Sequence, residues 1–183
     1  MQVVLSAFLL FVFLSSRLLA VPIPAIEMDP REVSRIGMLA QRSYDDAQHE
    51  YRPGAISHER DETIDGVRWR KRTFRGSAGA TSSLGSVYYS EDRPGSVVIA
   101  FHGSYWIQDW LTDFTVWKRP AADLHPSLSG SLHQGFSQCV IDSYDDAVRQ
   151  ASLLLGRPLS GLDEVYLTGH SLGGALAVLT AGK

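Results

Sequence analysis

The sequence predicts an α/β domain with a mostly parallel sheet and flanking helices, and three observations predict it. Ser96-Val97-Val98-Ile99-Ala100-Phe101 is a continuous apolar, β-branched run bounded by Pro94-Gly95 and His102-Gly103, the pattern of a strand buried on both faces. Glu164-Val165-Tyr166-Leu167-Thr168 is a second such run. A helical pattern separates the two strands and an apolar helix follows the second, so strand, crossover helix, strand and helix alternate as in parallel sheets.

The elements follow in order. Val3 to Leu14 (VVLSAFLLFVFL) is almost wholly apolar but shorter than the roughly 20 residues a bilayer span needs. SSRLLA follows, and the composition changes at Val21-Pro22-Ile23-Pro24. This is the layout of a secretory signal ending at the small residue Ala20, although no Lys or Arg precedes the apolar run and Leu18 stands where a small residue is usual. Residues 1–20 are therefore read as a signal peptide and 21–183 as the domain. Three prolines mark 21–30 as a linker. Ile36, Leu39, Ala40 and Ala47 recur at helical spacing and predict an amphipathic helix near 31–50. A polar, turn-rich stretch leads to a strand at 67–74, with Val67, Trp69, Lys71 and Thr73 on one face. Lys71-Arg72 reads as a solvated strand face in preference to a dibasic processing site. Residues 85–90 suit a short strand and EDRPG a turn. Val140, Tyr144, Ala147, Val148, Ala151, Leu154 and Leu155 line one side of a helix over 137–155, stopped by Gly156-Arg157-Pro158. Leu172 to Ala181 is the last helix.

Composition limits the function. The chain has 183 residues, 44% hydrophobic and 20% charged, which suits a globular domain with a core. The formal net charge is −3, so recognition of nucleic acid through bulk positive charge is not expected. The single cysteine, Cys139, allows no internal disulfide or cysteine-based metal site. No phosphate-binding loop or dinucleotide fingerprint is present, so no cofactor is expected.

Chemistry concentrates at Gly169-His170-Ser171-Leu172-Gly173, a G-x-S-x-G pattern between a buried strand and a helix. That context puts Ser171 on a sharp, strained turn with its hydroxyl above the sheet. Glycines at 169 and 173 let strand and helix approach closely. The helix that starts at the serine directs free N–H groups toward a developing oxyanion, with the Leu172 amide as one donor worth about 3 kcal/mol. After the first buried strand, Gly103-Ser104 offers a backbone N–H and a hydroxyl at the carboxyl end of the sheet, where open α/β sheets place ligands. Ile107, Trp110, Leu111 and Phe114 then recur at helical spacing. That stripe suits a mobile helix covering an apolar cleft, and it equally suits ordinary core.

A serine nucleophile needs a base and the base an orienter. His170 adjoins Ser171 and points away from it. His133 reads as a strand or helix start, and His49, His58 and His125 as solvated surface. His102, beside the 103–104 loop, is the upstream histidine worth testing as a base.

Four blocks in order, VVIAFHGS, IQDWLTDF, His133-Gln134-Gly135-Phe136 and VYLTGHSLGGALA, resemble the fungal-type class 3 lipases of the α/β-hydrolase superfamily. The likeness runs from 97 to 181, and the helix near 31–50 resembles the family's first helix. It implies an α/β-hydrolase-like fold and a secreted hydrolase of triacylglycerol or related esters, working through an acyl-enzyme at a lipid–water interface without metal or nucleic acid. It further implies Ser171 as nucleophile, Ser104 and Leu172 as the oxyanion hole, and Ile107–Asp113 as a lid carrying Ile107, Trp110 and Leu111. There are two departures. His102 stands where the family usually has Arg, which is expected to change loop support and leave the backbone donors in place. The family's acid and histidine follow the nucleophile by many tens of residues, whereas this chain ends 12 residues after Ser171. The expectation is the amino-terminal part of a longer lipase, with the carboxyl-terminal half of the domain missing. A non-catalytic lipid-binding or effector-like protein and an esterase of soluble or phenolic esters are the competing readings.

Overall fold

Asp29 starts the first helix: its carboxylate accepts from the Arg31 amide at 2.9 Å, and Pro30 takes the first turn, where a missing N–H costs nothing. The computed structural model describes residues 2–7, 28–49, 59–76, 83–103 and 117–183, with the backbone alone for 2–7 and 45–49. Helix α1 spans Pro30–His49. Strands β2 (Arg60–Ile64), β3 (Val67–Arg75), β4 (Ser83–Tyr89) and β5 (Ser96–Phe101) follow. A small hairpin of β6 (Lys118–Pro120) and β7 (Ser131–His133) leads into helix α2 (Gln134–Leu155). Strand β8 (Glu164–Gly169) and helix α3 (Leu172–Ala181) complete the order, with β1 (Gln2–Ala7) at the amino terminus.

The main sheet has the order β1-β8-β5-β4-β3-β2. Its β1–β8 and β8–β5 pairs are parallel, and its β5–β4, β4–β3 and β3–β2 pairs are antiparallel. The expected mostly parallel sheet is thus corrected to a mixed one in which antiparallel pairs predominate. Connection length is the reason. Asp65 and Gly66, both at positive φ (51° and 72°), close a two-residue hairpin between β2 and β3. The next two connections are also too short for a parallel crossover, which needs a dozen residues or more. Only the stretch from β5 to β8, which contains α2, is long enough to return the chain in the same direction. The strands expected at 67–74, 85–90, 96–101 and 164–168 are present, but β2 lies in a stretch read as polar and turn-rich, β1, β6 and β7 were not expected as strands, and the pairing sense of the antiparallel strands was not foreseen.

Each sheet face has its own core. Val97, Ile99 and Phe101 of β5 join Phe74, Val87, Val165 and Leu167 under α2 and α3, which contribute Val140, Ala147, Ala151, Leu154, Leu176 and Ala177. Val98 and Ala100 point the other way and meet Ile36 and Leu39 of α1 with Trp69, Tyr88 and Tyr166. The alternation along β5 therefore feeds two helical layers, as its unbroken apolar run requires. The predicted face of β3 packs toward α1, with one correction. Lys71 is buried instead of solvated, and its ammonium donates to Glu62 at 2.9 Å, where Arg42 of α1 also pairs. A charge this deep needs its partner.

Residues 2–7 fall within the stretch read as a signal. Gln2–Ala7 pairs in parallel along the outer edge of β8, Gln2 opposite Glu164 through Ala7 opposite Gly169. A short apolar segment satisfies the N–H and C=O groups that an open edge leaves unpaired. The remainder of the expected signal lies outside the described residues. Among the described residues no helix is long and apolar enough to cross a membrane.

Candidate active site

β5 and β8 pair without offset, Ser96 opposite Glu164 through Phe101 opposite Gly169, so both strands finish at one level. Two turns leave side by side from that level: His102-Gly103 after β5 and His170-Ser171 after β8. This is the carboxyl end of the parallel strands, where α/β sheets gather ligands.

The second turn is the sharper. Ser171 has φ 56° and ψ −122°, a conformation costly for any residue with a Cβ, of order 1–3 kcal/mol. It stands at the N-cap of α3, a position where serine usually bonds back to the helix, yet its side chain makes no cap bond. The amides of Gly173 and Gly174 close the first turn on the carbonyls of His170 and Ser171 at 2.9 and 3.0 Å. Among the described residues the Leu172 amide has no backbone acceptor. The bend therefore presents a hydroxyl and an N–H at the positive end of a helix.

Glycine makes the bend possible at two places. A Cβ at Gly169 would lie under 3.0 Å from the carbonyl of Gly173, and one at Gly173 under 3.0 Å from the carbonyls of Phe101 and His102. These neighbours are backbone, so nothing can swing aside. The approach also seats the start of α3 on the end of β5, which brings the two turns together.

The histidines are all accounted for among the described residues except His49 and His58. The ring of His102 is buried between two carbonyl oxygens, Nε2 at 2.7 Å from Ser83 and Nδ1 at 2.8 Å from Gly103. Both nitrogens are engaged, so His102 is not placed as a base for Ser171. His170 is exposed, and its Nδ1 lies 3.0 Å from the Tyr44 hydroxyl. His133 caps α2 as expected, Nδ1 accepting from the Phe136 amide at 3.5 Å, and burial lowers its pKa. His125 bonds Ser127 at 2.7 Å on the surface. Cys139 is a free, half-buried thiol whose pKa burial raises.

Tyr44 was not anticipated. Beyond its bond to His170, its hydroxyl occupies the space a Cβ on Gly103 would fill. It thereby links α1 to both turns. The helical period of Ile36, Leu39 and Ala40 placed position 44 toward the sheet, but nothing in the pattern showed that this end of α1 reaches the carboxyl ends of β5 and β8. Ser104, Ile107, Trp110 and Leu111, expected as oxyanion and lid residues, lie outside the described residues. Among the described residues no group of three or more His, Cys, Asp or Glu side chains is arranged to hold a metal.

Residues 98–183 match the family model described as lipase (class 3). The match begins inside β5 and includes the crossover, β8, the Ser171 bend and α3. It supports a place among these lipases and an α/β-hydrolase type of fold for that segment. A search of curated proteins returned no match.

Proposed function

We propose that this protein is a secreted serine ester hydrolase of the class 3 lipase kind, of the fungal type, acting on triacylglycerol or related carboxylic esters. Ser171 is the nucleophile. Its oxygen attacks the ester carbonyl, the alkoxide leaves with a proton, and water later releases the acyl group from the serine. The Leu172 amide and Ser104 receive the negative charge on the carbonyl oxygen. Residues 107–113, with Ile107, Trp110 and Leu111, form the cover over the acyl site. Residues 1–20 direct export.

One observation carries the reading: Ser171 sits at φ 56° at the junction of a buried parallel strand and a helix, with no cap bond from its side chain. A surface serine in a glycine-rich turn has no need of that strain. The class 3 lipase match over 98–183 points the same way. The family pattern places the base and its orienter after the nucleophile, and none of the described upstream histidines takes that part.

The test is labelling by a fluorophosphonate probe. Adduct on Ser171, absent from Ser171→Ala, is the expected result. A native protein that takes no label and still binds lipid vesicles would favour the lipid-binding alternative. Rates on emulsified and short soluble esters separate a lipase from a soluble-ester esterase; for a lipase, Trp110→Ala weakens activity on emulsions more than on soluble esters.

A further inference from the structure

The Ser171 bend is held from outside the residue. A strained backbone conformation persists only where its surroundings over-determine it, and the serine side chain makes no cap bond of its own. Two restraints are backbone. Gly173 lies close against the end of β5, and the Gly173 and Gly174 amides bond the carbonyls of His170 and Ser171. A third is a side chain from another element. The Tyr44 hydroxyl of α1 lies 3.0 Å from Nδ1 of His170, the residue before Ser171, with the two rings edge to face and their centroids 5.5 Å apart. A phenol hydroxyl both donates and accepts, so this bond forms whether Nδ1 is bare or protonated.

The hydroxyl is itself seated. It fills the space left by Gly103, where a Cβ would overlap it, and its ring centroid lies 5.8 Å from that of His102. The helix behind it is fixed at a second level of the same strand. Glu32 of α1 pairs with Arg93, and Arg93 donates to the Tyr166 hydroxyl of β8 at 3.2 Å while lying 5.3 Å from the centre of its ring. Between these points Ile36 and Leu39 share a core with Tyr166, Val98 and Ala100. From Glu32 to Tyr44 the helix rises about 18 Å, and from Tyr166 to His170 the strand advances about 13 Å. The helix thus grips β8 both in its middle and at its exit.

Resting on the hydrolase reading, we propose that Tyr44 is a positioning residue: acting through His170, it holds the Ser171 bend in the orientation that attack on an ester requires. His170 is exposed, so without the hydroxyl its ring is free to swing into water. The strain at Ser171 then favours relaxation of the bend. The glycine contacts and the core under α1 remain, so the effect falls on reactivity and little on stability. A displacement of about 1 Å at a reacting group is enough to slow a reaction about a hundredfold.

The experiment measures fluorophosphonate labelling of Ser171 against probe concentration, which separates probe binding from the bonding step, in the full protein and in Tyr44→Phe, His170→Ala, His170→Asn and the Tyr44→Phe/His170→Ala double variant. Tyr44→Phe removes one hydroxyl, and its bonding rate is expected to fall about tenfold with the half-saturating probe concentration unchanged. Its Tm is expected to fall by no more than about 4 °C, the scale of one hydrogen bond in a chain of this size. The double variant should label no more than about twofold slower than the slower single variant, because both changes cut the same tie. Asparagine carries a polar atom where Nδ1 stands, and His170→Asn is expected to stay within about threefold of the native rate. Native-rate labelling in Tyr44→Phe, losses that multiply in the double variant, or an Asn variant as slow as Ala overturns the proposal. If the native protein takes no label, the hydrolase reading fails, and hydrogen exchange decides the tie by itself. Exchange of the Gly173 and Gly174 amides about fivefold faster in Tyr44→Phe sustains it, and equal exchange removes it.

Discussion

Ser171 adopts a conformation that L-residues avoid, and two glycines without side chains make room for it. The contrast with Gly66 separates the two uses of glycine. Gly66 has φ 72° and open space where a Cβ would go, so Gly66→Ala is expected to cost about 1 kcal/mol through backbone strain alone. At Gly169 and Gly173 the added carbon meets backbone carbonyls that cannot retreat. Alanine at either position is expected to cost about 3 kcal/mol or more, a fall in Tm of about 6–12 °C for a chain of this size. Thermal melts of the three variants check this. Equal losses at 66 and 169 would remove the close-approach account, and with it the reason the two turns meet. The motif was legible in the sequence from its spacing between a buried strand and a helix, while the approach of Gly173 to the Phe101 and His102 carbonyls came only with the packing of α3 on β5.

Helix α2 shows an element whose ends are written in its sequence and whose start titrates. Gly156, at φ 69°, stops it in the left-handed conformation glycine favours, as the Gly-Arg-Pro signal predicted. At the other end the His133 Nδ1 accepts the Phe136 amide, which requires an unprotonated nitrogen, and burial lowers the imidazole pKa in the fold. The sign follows: the unfolded chain accepts a proton near pH 6.5 that the folded chain resists. Stability is therefore level above that pH and declines as pH falls through it toward the lower folded value. His133→Asn supplies a cap that does not titrate. The Tm gap between native and Asn proteins is expected to shift in favour of Asn between pH 7.5 and pH 5, and parallel curves would exclude the cap as the source. Lys71 was misjudged at this scale. Alternation gave its face correctly, but a charged side chain says nothing of the helix that will cover it, and here α1 brings Arg42 to the shared Glu62.

At the scale of the molecule the sheet edge at β8 is the feature to test. β1 covers all six residues of that strand, in the register that β5 keeps on the other side. Removing Gln2–Ala7 would leave a buried-type strand with unpaired backbone groups and invite pairing with another chain. A variant lacking residues 1–20 is expected to self-associate at micromolar concentration in sedimentation velocity while the full chain does not. A deletion variant that stays monomeric would mean the β1 pairing contributes little.

The sequence by itself determined the helices, the central strands β3, β4, β5 and β8, the bend at Ser171 and the two-faced burial of β5. Those features depend on residues near one another along the chain, through periodicity, glycine conformation and the need to bury apolar side chains. Only the tertiary structure decided the sense of strand pairing, the burial of Lys71, the double engagement of His102 and the arrival of Tyr44 between the two turns. Each of these depends on which distant backbone or side chain lies opposite, and that is set when the sheet closes and the helices pack on its faces.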